Sequence, residues 1–204
     1  MEGIDVSKYQ GDIDWRKVKD SGIKFAIIHA GYGKETYQKD PYFDINYKNA
    51  KAVEMPIGVY WYSYAATIEE GEDEAKACLE IIKEKQYEWP IYYDIEEKNI
   101  LDKGKDFVSS VAKKFCKYLE DKKYCCGIYA YANNLNNLFD DECKTQFPIW
   151  VAHFDVKEPD YDGKWGIWQY SSKGSVNGIS GNVDLDKAVI DYEPIIKKNH
   201  LNGY

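Results

Sequence analysis

This 204-residue sequence predicts an α/β fold: a TIM-like β/α barrel of eight strands whose last strands are joined by hairpins instead of helices. Three observations lead there. Eight strand-like segments recur along the chain, most of them continuous apolar runs, as strands covered on both faces must be. Amphipathic helical segments separate roughly the first five. They disappear after about residue 145, where Gly and Ser punctuation takes over in "GKWGIWQYSSKGSVNGISGNVDL". The length is short for eight complete βα units, and replacing the last helices by hairpins removes the mismatch. No low-complexity linker divides the chain, so one domain, 1–204, is expected.

The first strand is "GIDVS" (3–7). The helix "DWRKVKDSG" follows, with Asp14 as candidate N-cap and Gly22 as its stop. "FAIIHAGYG" (25–33) and "PIGVYWYSYA" (56–65) are the second and third strands. "TIEEGEDEAKACLEIIKEK" opens with Thr67 and Glu70 as a capping box, each satisfying an otherwise unpaired backbone N–H. Ala75, Leu79 and Ile82 share its apolar face. "PIYYDIE" (90–96) is the fourth strand. In "DFVSSVAKKFCKYLEDKK" (106–123), Val108, Val111, Phe115 and Leu119 recur at three- and four-residue spacing. "GIYAYA" (127–132), "PIWVAHF" (148–154), "WGIWQYS" (165–171) and "NVDLD" (182–186) complete the eight.

Composition narrows the partners. Net charge is −8 with no basic stripe, which disfavours nucleic acid and an anionic membrane surface. No apolar run is long enough to span a bilayer. Met1-Glu2-Gly3 leads straight into a strand-like segment, so no signal peptide is expected. The five Cys are odd in number and lack C-x-x-C spacing; they read as structural or free, with neither zinc nor a disulfide framework. Nineteen Tyr and six Trp exceed the needs of a core and suit a groove that stacks on sugar faces.

The chemistry concentrates in "WPIYYDIEEKN" (89–99), where an apolar strand ends in clustered carboxylates. Barrel enzymes carry their catalytic groups at the C-terminal ends of the strands. Asp94 and Glu96 lie two apart, so both point to one face together with Tyr92, while Tyr93 and Ile95 point to the helix layer. Repulsion and partial burial push such a pair apart in pKa, the division of labour that glycoside cleavage needs. The longer, later Glu96 is the expected protonated acid and Asp94 the ionised partner. Glu97 reads as loop charge. Same-face neighbours stand roughly 6.6–7 Å apart at Cβ, so their carboxyls can converge or splay and the stereochemistry stays open. Asp5 in the first strand and Asp184 in the last become neighbours on barrel closure, with Asp186 on the same face as Asp184. Tyr62, Tyr64, Tyr131, Trp150, Gln169 and Tyr170 are the candidate sugar contacts.

These motifs, in this order, resemble glycoside hydrolase family 25, the bacterial and phage lysozymes also called N-acetylmuramidases: "GIDVSKYQGDIDW", "FAIIHAGYG", "GVYWYSYA", "YYDIEE", "PIWVAHF", "WQYSS" and "GISGNVDLD". The resemblance covers residues 3 to about 190. It implies a flattened β/α barrel and hydrolysis of the β-1,4 bond between N-acetylmuramic acid and N-acetylglucosamine in bacterial peptidoglycan, without a cofactor or metal. It gives Glu96 the general-acid role. Asp94 orients the substrate acetamido group or stabilises positive charge, and Asp5 and Asp184 shape the subsite. It favours retention, with the substrate's own N-acetyl group as a candidate nucleophile. The chain departs from the family pattern at His29, where Arg is common, at His153 in "VAHF", where "VAQY" is common, and at Asp186, where the motif usually ends in Asn. Both His are added to the candidate substrate contacts because they can titrate near the mouth. A monomer is expected, acting at the cell wall or outside the cell, or released from the cytoplasm if phage-encoded. Two other readings remain: an inactive peptidoglycan-binding module, against which the clustered acid pair argues, and a metal-dependent hydrolase, for which no H-x-H or H-E-x-x-H spacing exists.

Overall fold

The computed structural model describes residues 1–204. Eight strands close in chain order into one barrel: β1 (Glu2–Val6), β2 (Phe25–Tyr32), β3 (Ile57–Tyr62), β4 (Ile91–Asp94), β5 (Cys126–Tyr131), β6 (Ile149–Ala152), β7 (Ile167–Gly174) and β8 (Val183–Ala188). β1 to β7 run parallel to one another. β8 returns by a hairpin and runs antiparallel to both β7 and β1. The predicted class, strand count and hairpin ending all hold. The reversal has one consequence for the site: residues at the start of β8, not its end, lie at the mouth.

Helices α1 (Trp15–Asp20), α2 (Phe43–Ala52), α3 (Ile68–Ile82), α4 (Lys98–Leu101), α5 (Lys105–Asp121), α6 (Ala132–Leu138) and α7 (Asp141–Gln146) connect the parallel strands, and α8 (Glu193–Lys198) follows the barrel. Helices therefore do not end for good near residue 145. Asp14 caps α1 by accepting the Lys17 N–H. The capping box at α3 is only half made: Thr67 accepts the Glu70 N–H at 3.2 Å, but Glu70 takes the Ala66 N–H at 2.6 Å and the Lys34 ammonium at 2.7 Å.

Alternation along the strands divides the core. Outward residues such as Tyr93 and Ile95 pack with Ala75, Ile82 and the α5 stripe Val108, Val111, Phe115 and Leu119. Inward residues fill the lumen with rings: Trp150 meets Tyr129, Tyr92 and Tyr60 edge-on at 4.5, 5.3 and 6.1 Å. Phe25 stacked on Trp89 at 4.0 Å closes the lower end with Tyr192. The lumen is thus plugged by rings below the mouth. All five Cys are free, and only Cys125 is partly exposed.

Candidate active site

β4 delivers the acid pair. Asp94 is its last residue and 5 % exposed; Glu96 lies just beyond, half-buried. Burial pushes Asp94 well above the usual carboxylate range, and the Glu96 charge pushes it further. Glu96 is raised too, by burial, then by Asp184 and Glu97. Asp94 Oδ1 is buried with no hydrogen-bond partner. Both carboxyls are therefore raised, including Asp94, which the sequence reading expected to stay readily ionised. Asp94 is the deeper group, and no cation or N–H faces its free oxygen, so ionisation costs more there than at Glu96.

Asp5 on β1 and Asp184 on β8 are register partners. Asp184 reaches the mouth because it is the second residue of the reversed strand. Beneath them lies a buried polar chain. The Tyr129 hydroxyl donates to Gln169 Oε1 at 2.8 Å, and Gln169 Nε2 donates to Asp5 Oδ2 at 2.7 Å. Trp150 Nε1 donates to Asp186 Oδ1 at 2.8 Å. The other carboxylate oxygen of Asp186, Oδ2, is buried with no hydrogen-bond partner. Burial raises Asp5 well above the usual range, helped by the charges of Asp186 and Asp184. Burial also lifts Asp186 to about 8 and raises Asp184.

Two hollows flank the acid pair. The larger, about 470 Å³, is lined by Tyr62, Tyr64, His29, Asp40, Tyr9 and Tyr32 among others. The smaller, about 230 Å³, is lined by Tyr131, Trp150, Gln169, Phe154, Asp5 and Asp184 among others. Tyr60, Asp94 and Glu96 line both. The carboxyls thus stand where two recesses meet, with aromatic walls on either side.

His29 belongs to the larger hollow. Its ring stacks on Tyr60 at 4.6 Å, and its Nδ1 lies 2.9 Å from Asp40 Oδ2. Burial pushes the Asp40 carboxyl up, but hydrogen bonds from His29 and from the Tyr42 and Lys8 N–H groups outweigh it and hold Asp40 below its usual value. An ionised Asp40 leaves His29 Nε2, buried and unpartnered, as the group offered to a ligand.

Two predicted contacts fall outside both hollows. Tyr170 lies on the outward face of β7 because Gln169 occupies the inward one; its hydroxyl donates to Glu2 at 3.1 Å. His153 Nδ1 accepts the Asp160 N–H at 3.1 Å and braces the β6–β7 connection. Tyr9, Tyr32, Asp40, Tyr60, Tyr129 and Phe154 line the hollows without being among the candidate contacts read from the sequence. Alternation with Tyr62 and Tyr131 places Tyr60 and Tyr129 on the inward face, whereas nothing local marked Asp40. Glu97, read as loop charge, accepts the Tyr62 hydroxyl at 3.3 Å.

The model of glycosyl hydrolases family 25 matches residues 4–179. The chain belongs to glycosyl hydrolase family 25. The matched stretch contains Asp5, Asp94 and Glu96 and stops before β8. Among curated relatives, the family 25 chain is 35 % identical to the autolytic lysozyme of Clostridium acetobutylicum over 92 % of its own length, yet spans only 55 % of that protein. Its fold superposes on the bacterial lysozyme of Streptomyces coelicolor with a TM-score of 0.80 at 26 % identity, covering 96 % of this chain and 95 % of that one. It superposes on the modular autolysin LytC of Streptococcus pneumoniae, solved with a synthetic peptidoglycan ligand, with a TM-score of 0.78 at 28 % identity, covering 91 % and 46 %.

Proposed function

We propose that residues 1–204 act as one catalytic domain, a monomer that hydrolyses the β-1,4 bond between N-acetylmuramic acid and N-acetylglucosamine in bacterial peptidoglycan, at the cell wall. The observation that carries this reading is the carboxyl pair at the junction of two hollows, because a bond cleaved inside a polymer needs room for sugar on both sides of the acid. A relative named autolytic lysozyme and a neighbour solved with a peptidoglycan ligand support the substrate class.

Glu96 is the general acid and Asp94 the group that holds the substrate acetamido N–H. Before substrate binds, the pair's proton rests on Asp94, the deeper carboxyl, whose Oδ1 faces no donor. An acetamido N–H donated to the unpartnered Asp94 Oδ1 stabilises the ionised aspartate, so the proton moves to Glu96 as substrate binds. The acetamido oxygen then attacks the anomeric carbon while Glu96 protonates the departing oxygen of the next sugar. The resulting cyclic cation has its N–H proton beside Asp94. Water, deprotonated by the Glu96 carboxylate, attacks the same carbon, restores the acetamido group and returns the proton to Glu96, with retention overall.

Mass spectrometry of digested peptidoglycan tests the bond. New reducing ends on muramic acid are expected; reducing ends on glucosamine, or no cleavage, would overturn the reading. Glu96→Gln keeps the volume and loses the proton, and should lower turnover ~10²–10⁴-fold in a protein that melts normally. A variant with a third of wild-type turnover would remove Glu96 from its role.

A further inference from the structure

A second buried carboxyl lies on the helix side of the sheet, directly behind the mouth. Glu74, on the inner face of α3, is 1 % exposed. Its Oε1 accepts the Tyr64 N–H at 2.8 Å, and its Oε2 accepts the Tyr93 hydroxyl at 2.6 Å. The Tyr93 hydroxyl also lies 2.7 Å from Ser63 Oγ, which accepts the Ala65 N–H at 3.3 Å. The Ser63 N–H donates to the Asp94 carbonyl at 2.9 Å. Tyr93 itself is fixed by its ring, stacked on Phe115 of α5 at 3.8 Å and 5°.

We infer that Glu74 is a positioning residue, whose carboxyl holds the segment Ser63–Ala65 beyond β3 and thereby sets Tyr64 beside the cleavage site and ties it to the backbone of Asp94. The inference rests on the glycan-cleavage reading above only for what Tyr64 and Asp94 do.

A merely structural role predicts a different residue. An apolar side chain of similar volume would fill this place in α3 more cheaply than a buried carboxyl. Burial does raise Glu74, to about 7, against the hydrogen bonds from the Tyr93 hydroxyl and the Tyr64 N–H. No cation compensates it, and the groups around it are Tyr93 on β4, Ser63 after β3, and Glu70 and Cys78 on α3 itself. What the carboxyl supplies is geometry: two acceptors aimed at one backbone N–H and one hydroxyl. The chain of hydroxyls stays satisfied in either protonation state. With Glu74 ionised, Ser63 donates to Tyr93 and Tyr93 to Glu74; with Glu74 protonated, the direction reverses and Ser63 Oγ becomes the final acceptor. Gln reproduces the protonated arrangement, with its oxygen toward Tyr64 N–H and its NH₂ toward Tyr93. Ala leaves the Tyr64 N–H without a partner and the Tyr93 hydroxyl with Ser63 alone.

Glu74→Gln, Glu74→Ala, Tyr93→Phe and a control, Ile82→Ala, decide it. Ile82 is fully buried at the far end of the same helix and has no link to the mouth. Each variant is assayed for kcat and KM on soluble peptidoglycan strands, for melting temperature, and for amide exchange across residues 62–66. Glu74→Gln should stay within ~3-fold of wild type in kcat/KM, since every hydrogen bond has a replacement. Glu74→Ala should lose ~10–100-fold in kcat/KM, because a small displacement of a positioned group costs that much. It should also exchange faster at the Tyr64 and Ala65 amides. Ile82→Ala should melt lower while keeping wild-type KM, kcat and exchange at 62–66. Glu74→Ala losing no more activity or protection than Ile82→Ala would overturn the inference, as would Glu74→Gln failing as badly as Glu74→Ala. If Glu74→Ala does not fold, Tyr93→Phe keeps the stacked ring and removes the link; faster exchange at 63–65 supports the inference and unchanged exchange overturns it. A wild type that cleaves no glycan would sink the functional reading alone, since the exchange comparison still decides what Glu74 holds.

Discussion

At the scale of single residues the decisive atom is Asp94 Oδ1, buried and facing no donor. On the proposed mechanism it makes the pair's proton move when substrate arrives. Before binding, the basic limb is the loss of the pair's one proton from Asp94 beside the Glu96 carboxylate; after binding, it is the loss of that proton from Glu96 beside the Asp94 carboxylate. In both cases the departing proton leaves a second negative charge, and Asp94→Asn removes that repulsion. Asp94→Asn should therefore shift the basic limbs of kcat and of kcat/KM to lower pH, with turnover down ~10²–10³-fold. The two limbs report the complex and the free enzyme respectively. Profiles of both proteins on soluble glycan check this, and basic limbs that stay in place would mean that the two carboxyls do not share their proton. The acids were legible in sequence because two-residue alternation fixes which side chains share a face. The same rule misplaced nothing on β3 and should have excluded Tyr170, which cannot share the inward face of β7 with Gln169. How deeply Asp94 is buried was not legible, because depth is set by where β4 stops.

At the scale of elements, continuous apolar runs found every strand, and the long stripes of α3 and α5 were plain. The missed helices were short or polar: α6 is "ANNLNNL" and α4 has four residues. The antiparallel course of β8 follows from its hairpin, yet its effect on Asp184 required the register. Register also explains a glycine. Gly127 on β5 pairs with Tyr92 on β4, and the Tyr92 ring lies over it inside the lumen. A Cβ at 127 would meet that ring at 2.5 Å and the Pro148 carbonyl at 2.5 Å. The ring could turn away, but the carbonyl belongs to the backbone that leads into β6. Gly127→Ala should therefore destabilise the barrel by ~1–3 kcal/mol, and Tyr92→Leu in the same chain should recover only part of it. Denaturant titration of the single and double variants reads this directly; full recovery would show that the Pro148 carbonyl yields freely.

For the whole molecule, the carboxyls fall into two groups with opposite effects on stability. Asp40, Asp44, Glu70, Asp140 and Glu142 are held below their usual values, against the opposing pull of burial, by His29, lysines and backbone N–H groups. Their contribution is present above the unfolded pKa and is lost as pH falls through the folded one. Asp5, Asp94, Asp186 and Glu74 are raised by burial, Asp186 to about 8 and Glu74 to about 7. These keep their protons in the folded chain while the unfolded chain gives them up near the ordinary aspartate value of 3.8 or glutamate value of 4.5. Between those limits the native state binds more protons than the unfolded one, so stability must fall as pH rises. The barrel should be most stable near about pH 4–5 and lose stability steadily toward about pH 8. The protons that glycan cleavage draws on and this alkaline penalty come from the same buried mouth. Asp186→Asn separates them, because Asp186 lines neither hollow. The amide oxygen introduced by Asp186→Asn still accepts from Trp150 Nε1, and the residue no longer has a proton to lose. The variant should melt with the wild type near about pH 4, melt above it near about pH 8, and show a stability slope flatter by at most ~1.4 kcal/mol per pH unit. Thermal melts across that range check it. Parallel curves for the two proteins would mean that Asp186 carries its charge in the folded barrel after all.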